Sequence, residues 1–179
     1  YSSNSGIAFG CTEAEALLHG AHEVIERHIL SCFFMAVCSI GPAMDLYTPS
    51  KELLASALWD NPSAIESANE LQIIIIKDLL DVYFAVAFPK AGPGDLHLSP
   101  IGSGCSLDIR TAIQRATTEQ FQANALYGIA EEAIDKTTLD LLSGSDKLKY
   151  LIGFTHIRNL NLPPLDQPLT DFTASVPQQ

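Results

Sequence analysis

Three carboxylates and two imidazoles fall on one stripe of an early segment. On an α-helix each residue advances ~100°, so Glu15, His19, His22, Glu23 and Glu26 share a face. Leu17, Leu18, Ala21, Val24, Ile25 and Ile29 take the opposite side, which predicts that they face the core and that the acidic stripe faces away from it. A solvated acidic face accounts for such a stripe without any function. Yet Glu23 and Glu26 are like charges one turn apart with no Lys beside them, at a cost of roughly a few tenths of a kcal/mol. A divalent cation would turn that cost into a binding site. Oxygen ligands suit Mg2+, which usually arrives with substrate phosphates. With both histidines included, the same stripe also suits a transition metal. Arg27, on the flank, could meet phosphate or carboxylate. His28 falls on the apolar side and reads as a core histidine.

A second cluster lies downstream. Arg115 and Glu119 stand at i and i+4, with Gln122 beside them; taken alone they make an intrahelical ion pair worth ~0.3–0.5 kcal/mol. The glycine-rich stretch Gly102–Asp108 before them reads as a loop able to present backbone N–H groups to an anion. No G-x-x-x-x-G-K-[ST], G-x-G-x-x-G, G-x-S-x-G, H-E-x-x-H or Cys/His zinc spacing occurs. Cys105 has no base near it in the chain, so no catalytic residue is singled out.

The elements that must position these groups follow from local signals. Thr12-Glu-Ala-Glu15 fits a capping box, with Thr12 as N-cap and Glu15 reaching back. The helix it opens runs until Gly41-Pro42 stops it. A second helix is expected from Thr48-Pro49, with Pro in its first turn and Leu53, Leu54, Ala57, Leu58 and Trp59 along it, and a third over Pro62–Leu71. Leu71–Ile76 and Val82–Phe88 are β-branched or aromatic runs of buried-strand length. A short strand is expected at Leu96–Ile101, and helices at Asp108–Leu126 and Ile129–Leu142; the segment from Leu162 onward reads as extended. Helices and strands mix without strict βαβ alternation, so the class is α+β, a mixed sheet packed by helices.

Composition bounds the partners. Ten basic residues against 21 acidic ones leave a net charge of −11, and the basic residues are scattered, which argues against a nucleic-acid backbone as partner. The most apolar stretch, Ile29–Ile40, is too short and interrupted to span a membrane. An acidic chain that handles phosphates needs a metal ion to bridge the like charges. Four cysteines without C-x-x-C spacing read as reduced thiols of a cytoplasmic protein. The opening Tyr1-Ser-Ser-Asn, without Met, is expected to belong to a longer chain. Surface left uncovered by such a division, above all Ile29–Val37 with Phe33, Phe34 and Met35, predicts a homo-oligomer.

Two ordered blocks resemble a known family. Ser3-Asn-Ser-Gly-Ile-Ala-Phe-Gly10 leading into Glu15–Arg27, with Glu23-Val-Ile-Glu26-Arg27 at its end, looks like the YcaO signature. Gly102–Asp108 followed by Arg115-Ala-Thr-Thr-Glu119 resembles its second block, and the intervening strand pair with Asp78 also fits. The likeness covers Ser2 to Leu126, the C-terminal half of the family domain. It implies residues 1–142 as that portion of a larger YcaO-like domain and residues 143–179 as a partly irregular extension. It further implies ATP and Mg2+ as cofactors and activation of a peptide backbone amide by phosphorylation. In azoline-forming members a Cys, Ser or Thr side chain attacks the preceding carbonyl and water leaves as phosphate. Other members make thioamides or amidines, or assist ribosomal-protein modification, and a non-catalytic scaffold or leader-binding role is the alternative. Implied partners are a peptide or protein substrate and a leader-binding protein. By the same resemblance Glu23 and Glu26 hold Mg2+, Glu15 and Arg27 contact the nucleotide, and Arg115 and Glu119 complete the phosphate end. Cys11 stands where the family often has Asn, and Val176-Pro177-Gln-Gln only faintly echoes a Pro-rich terminus.

Overall fold

The computed structural model describes residues 6–77, 82–126, 129–158 and 160–166, the side chains of 129–131 excepted. Ser3–Ser5, Asp78 and Val176-Pro177, used above, lie outside these residues. In chain order the elements are α1 (Glu13–Val37), β1 (Thr48–Pro49), α2 (Lys51–Ala57), α3 (Pro62–Asn69), β2 (Leu71–Lys77), β3 (Tyr83–Pro89), β4 (Gly102–Ser106), α4 (Ile109–Ala125), α5 (Ile129–Ser143), a 3-10 turn (Leu148–Leu151) and β5 (Pro164–Leu165). The strands β2-β3-β4 form an antiparallel sheet and β1-β5 a parallel pair. Tyr47 joins the two by exchanging backbone hydrogen bonds with Ile75 at 2.8 and 3.0 Å. The result is the expected α+β chain with parallel and antiparallel strands.

Alternation along the strands builds two cores. Leu71, Ile73 and Ile75 of β2 with Tyr83, Ala85 and Ala87 of β3 pack under α2 and α4 through Leu53, Leu54, Ala112, Ile113 and Ala116. The other side chains, Ile74, Ile76, Phe84, Val86 and Phe88, meet Ile29, Phe33 and Val37 of α1. Phe154, beyond the 3-10 turn, stacks on Phe88 at 4.7 Å and closes that core. The first helix and the Asp108 helix therefore lie on opposite faces of one sheet.

Four expectations need correction. The first concerns the rotation of α1. Its packed seam is Gly20, His22, Ile29, Phe33 and Val37, and the acidic stripe lies on that side, while Leu17, Leu18 and Val24 are exposed. Phe33 and Val37, in the C-terminal half, are in phase with Glu26. Burying Ile29, Phe33 and Val37 is worth ~1.5–3 kcal/mol each, and a rigid helix carries its N-terminal half along. His28 is accordingly exposed, with Nε2 3.8 Å from Cys32 Sγ, and is not a core histidine. Second, Thr48-Pro49 is a strand: Ser50 caps α2 by accepting from Leu53 N–H, and Trp59 lies past its end with φ 53°. Third, Gly102–Ser106 is a strand, whereas Leu96–Ile101 is irregular. Fourth, Ile29, Phe33 and Val37 are buried in their own core and Phe34 packs on Phe154, so Met35 alone of the five is substantially exposed.

Candidate functional site

β4 is the edge strand of the antiparallel sheet among the described residues, and α1 and α4 flank it from opposite faces. Its sequence explains how closely they come. Gly102 and Gly104 point toward α4; a Cβ on Gly104 would sit 2.5 Å from Ala112 O and 2.7 Å from Arg115 Cβ, and one on Gly102 would collide with the Ala116 carbonyl and Gln120 N–H. Ser103 and Cys105 point the other way, toward α1. The glycines thus serve close helix–strand packing rather than an anion-binding loop.

Past this edge the two helices enclose a cleft of about 580 Å³ lined by Glu23, Glu26, Arg27, Arg115 and Glu119 together with Ser103. Ser103 ties the two helices to the strand. Its hydroxyl donates to Glu26 Oε1 at 2.6 Å, and its N–H donates to Glu119 Oε2 at 2.7 Å. Arg115 donates to the Cys105 carbonyl at 3.2 Å and lies 3.8 Å from Glu26 Oε2. Glu26 also accepts from the Cys105 N–H. On α1, Arg27 Nε pairs with Glu23 Oε1 at 2.9 Å, and the Gly6 N–H donates to Glu23 Oε2 at 3.2 Å. The charge that lacked a Lys is therefore met by Arg27, at i+4.

Glu26 is the electrostatic centre. Burial, with Glu119 adding to it, pushes its carboxyl above the usual range, against the pull of Ser103, Arg115 and the Cys105 N–H. Its side chain is only 12% exposed, and its Oε2 accepts no hydrogen bond. His22, buried between Arg115 and His19, is pushed below its ordinary value, burial being the main cause.

Five of the six residues singled out in sequence converge here. Glu15 does not. It stays at the start of α1, where it accepts from the Cys11 N–H at 2.7 Å while Thr12 accepts from the Glu15 N–H. The box is the expected one, closed one residue earlier than Thr12. Ser103, Gln114 and Thr118, not singled out in the sequence, also line the cleft. The last two were findable, because they continue the Arg115–Glu119–Gln122 face at i+3 and i+4 spacing. The His/Glu transition-metal set does not assemble: His19 Nδ1 is 3.1 Å from the Phe9 carbonyl oxygen, and no group of three or more His, Cys, Asp or Glu is placed to hold a metal among the described residues.

The fold is shared with solved structures. The YcaO protein from Methanopyrus kandleri, bound with AMPPCP and Mg2+, superposes with a TM-score of 0.50 at 20% identity over 70% of this chain and 32% of that one. The heterocyclase TruD gives 0.55 at 21% identity over 94% and 21%. A heterocyclase in complex with substrate and cofactor gives 0.55 at 23% over 93% and 21%. The chain thus spans less than a third of each structure. No curated protein matches it. Residues 1–174 match the family described as YcaO cyclodehydratase, ATP- and Mg2+-binding, and the chain belongs to the YcaO family.

The residues fit that pair of ligands. Glu26 Oε2, which accepts no hydrogen bond and lies 3.8 Å from Arg115, is an oxygen of the kind a hard cation takes, and Glu23 and Glu119 line the same cleft without being gathered around it. Phosphate oxygens and water would have to supply most of such a cation's shell. Arg27 and Arg115 are planar donors of the kind that could meet phosphate oxygens. No helix among the described residues is long and apolar enough to cross a membrane.

Proposed function

We propose that the intact protein activates a backbone amide of a peptide by ATP-dependent phosphorylation, forming an azoline in a cytoplasmic maturation pathway. A Cys, Ser or Thr side chain of the peptide adds to the preceding carbonyl carbon. Bound ATP supplies the phosphoryl group that converts the carbonyl oxygen into a leaving group, with Mg2+ neutralising its charge. Loss of phosphate and of the amide proton then leaves the ring C=N bond. Residues 1–142 form the C-terminal portion of the catalytic domain and residues 143–179 its extension. Within the cleft, Glu23 and Glu26 hold the metal and Arg27, Arg115 and Glu119 the phosphate end, while Glu15, outside it at the start of α1, contacts the nucleotide. Catalysis of this kind is mainly positioning and charge neutralisation.

The single observation that carries the reading is the buried Glu26 Oε2, accepting no hydrogen bond, in a cleft shared with Glu23, Glu119 and two arginines. In the intact protein, Glu23→Gln and Glu26→Gln should each abolish ATP turnover while preserving the fold, since the amide oxygen that Glu26→Gln leaves in place still accepts from Ser103. Circular dichroism and phosphate release read the two halves of that statement. Turnover unchanged in both variants would remove the assignment. Mass spectrometry of the product separates loss of one water, for an azoline, from exchange of oxygen for sulfur, for a thioamide.

A further inference from the structure

A second cavity lies beyond the cleft. One helical turn further along both helices, past Leu30 on α1 and Gln122 on α4, a space of about 530 Å³ is bounded by Phe34, Ala123 and Leu126. Its volume is in the ordinary range for ligand sites, ~300–1000 Å³. Ile101, Leu142, Leu151 and Phe154 complete an apolar lining. Among them stands one polar group that the fold does not use. Ser99 is only 7% exposed; its N–H is spent on the Ile152 carbonyl at 3.0 Å, and its hydroxyl has no hydrogen-bond partner. A buried hydroxyl left unpaired is costly, so a ligand that supplied its partner would recover that cost. Asp135, at the rim, adds an acceptor.

We propose that this cavity receives an apolar side chain of the peptide substrate close to the amide being activated, with Ser99 hydrogen-bonded to the peptide backbone beside it. The assignment rests on the phosphoryl-transfer reading of the neighbouring cleft. The two compartments lie one helical turn apart on the same pair of helices, Leu30 beside Phe34 and Gln122 beside Ala123, a spacing that suits a ligand long enough to reach both. Peptide chemistry matches the lining: apolar surface for the side chain, a hydroxyl and a carboxylate for amide groups. A nucleotide base, the competing occupant, would need a denser set of free donors and acceptors than Ser99, Asp135 and a Thr138 hydroxyl already donating to the Ile134 carbonyl.

The test is methyl NMR on the intact protein, following Ile101, Leu142 and Leu151. N-acetyl-leucine N-methylamide should shift these methyls and leave those of Ile74 and Ile75 in place, whereas N-acetyl-aspartate N-methylamide and adenosine should not. Ala123→Phe, which fills the cavity, should weaken the leucine derivative more than tenfold, and Ser99→Ala should weaken it about three- to tenfold, the loss of one neutral hydrogen bond. Shifts with adenosine instead, or none with the leucine derivative, would overturn the proposal. Calorimetry with Mg-ATP on the same samples keeps the two readings apart. Leucine binding without Mg-ATP binding leaves the cavity assigned and defeats the phosphoryl reading; the reverse defeats the cavity alone.

Discussion

Ser103 stands between two carboxylates with one hydroxyl proton to give, and it gives it to Glu26. Among the influences that offset the burial of Glu26, this hydrogen bond is the largest, although burial still holds the carboxyl above the usual range. Removing the hydroxyl should therefore cost stability and metal affinity together. Ser103→Ala is expected to lose ~1.5–3 kcal/mol, the value of a hydrogen bond to a charged group, in urea denaturation, with Ser103→Thr restoring most of it; equal midpoints for Ala and wild type would contradict this. The charged members of the site were legible because Glu and Arg at helical spacing are conspicuous on an otherwise apolar background. Ser103 was not, since a serine among small residues carries no spacing of its own and becomes meaningful only when α1 is brought across the sheet.

At the scale of elements, caps and β-branched runs were readable and phase was not. Thr12, Asp108 and the Ile73–Ile76 run each act locally, through a cap hydrogen bond or a pleated surface, so neighbours in sequence are enough to find them. The rotation of α1 depends on Phe33 and Phe88, which are far apart in the chain, and the two apolar stripes of α1 compete until the sheet chooses. β4 was hidden because Gly-Ser-Gly-Cys-Ser has no β-branched residue; its strand character is imposed by β3 on one side and α4 above. Two predictions belong here. Gly104→Ala places a methyl against α4 backbone and should destabilise by ~1–3 kcal/mol, and because α4 carries Arg115 and Glu119, Mg-ATP affinity should fall with it; thermal melts and calorimetry check both. Asp108 caps α4 by accepting from the Arg110 N–H and the Thr111 hydroxyl. Burial works to raise its carboxyl, but these bonds and the Arg110 charge prevail and hold it below the usual range. Its contribution is therefore present above the unfolded-state value and is lost as pH falls through the lower, folded one. Asp108→Ala should cost ~0.5–2 kcal/mol at neutral pH, with the gap to wild type closing in acid, as urea midpoints across pH would report.

Seen as a whole, the molecule buries one side of α1 and leaves the other apolar. Leu17 is 68% exposed and Phe9 89%, with Leu18, Val24 and Ile7 also open. Such a patch on a small chain favours association. The surface expected to drive it, Ile29–Val37, is spent on the internal core, so oligomerisation should depend on the N-terminal half of α1. Sedimentation at micromolar concentration should show assemblies that Leu17→Glu with Val24→Glu converts to monomer without altering the melting temperature; assembly unaffected by the pair would place the contact elsewhere.

The β4 edge carries a consequence for how site variants behave. Strand edges expose a row of unpaired backbone groups that recruit other strands. Here the Ser103 N–H is occupied by Glu119, the Cys105 carbonyl by Arg115 and the Cys105 N–H by Glu26. Those side chains act as gatekeepers against edge-to-edge polymerisation, whatever else they bind. A chain lacking Arg115 and Glu119 together would present a small-residue strand free to pair with its own copies. Insolubility in such a variant would then report an uncovered template, not a failure to fold.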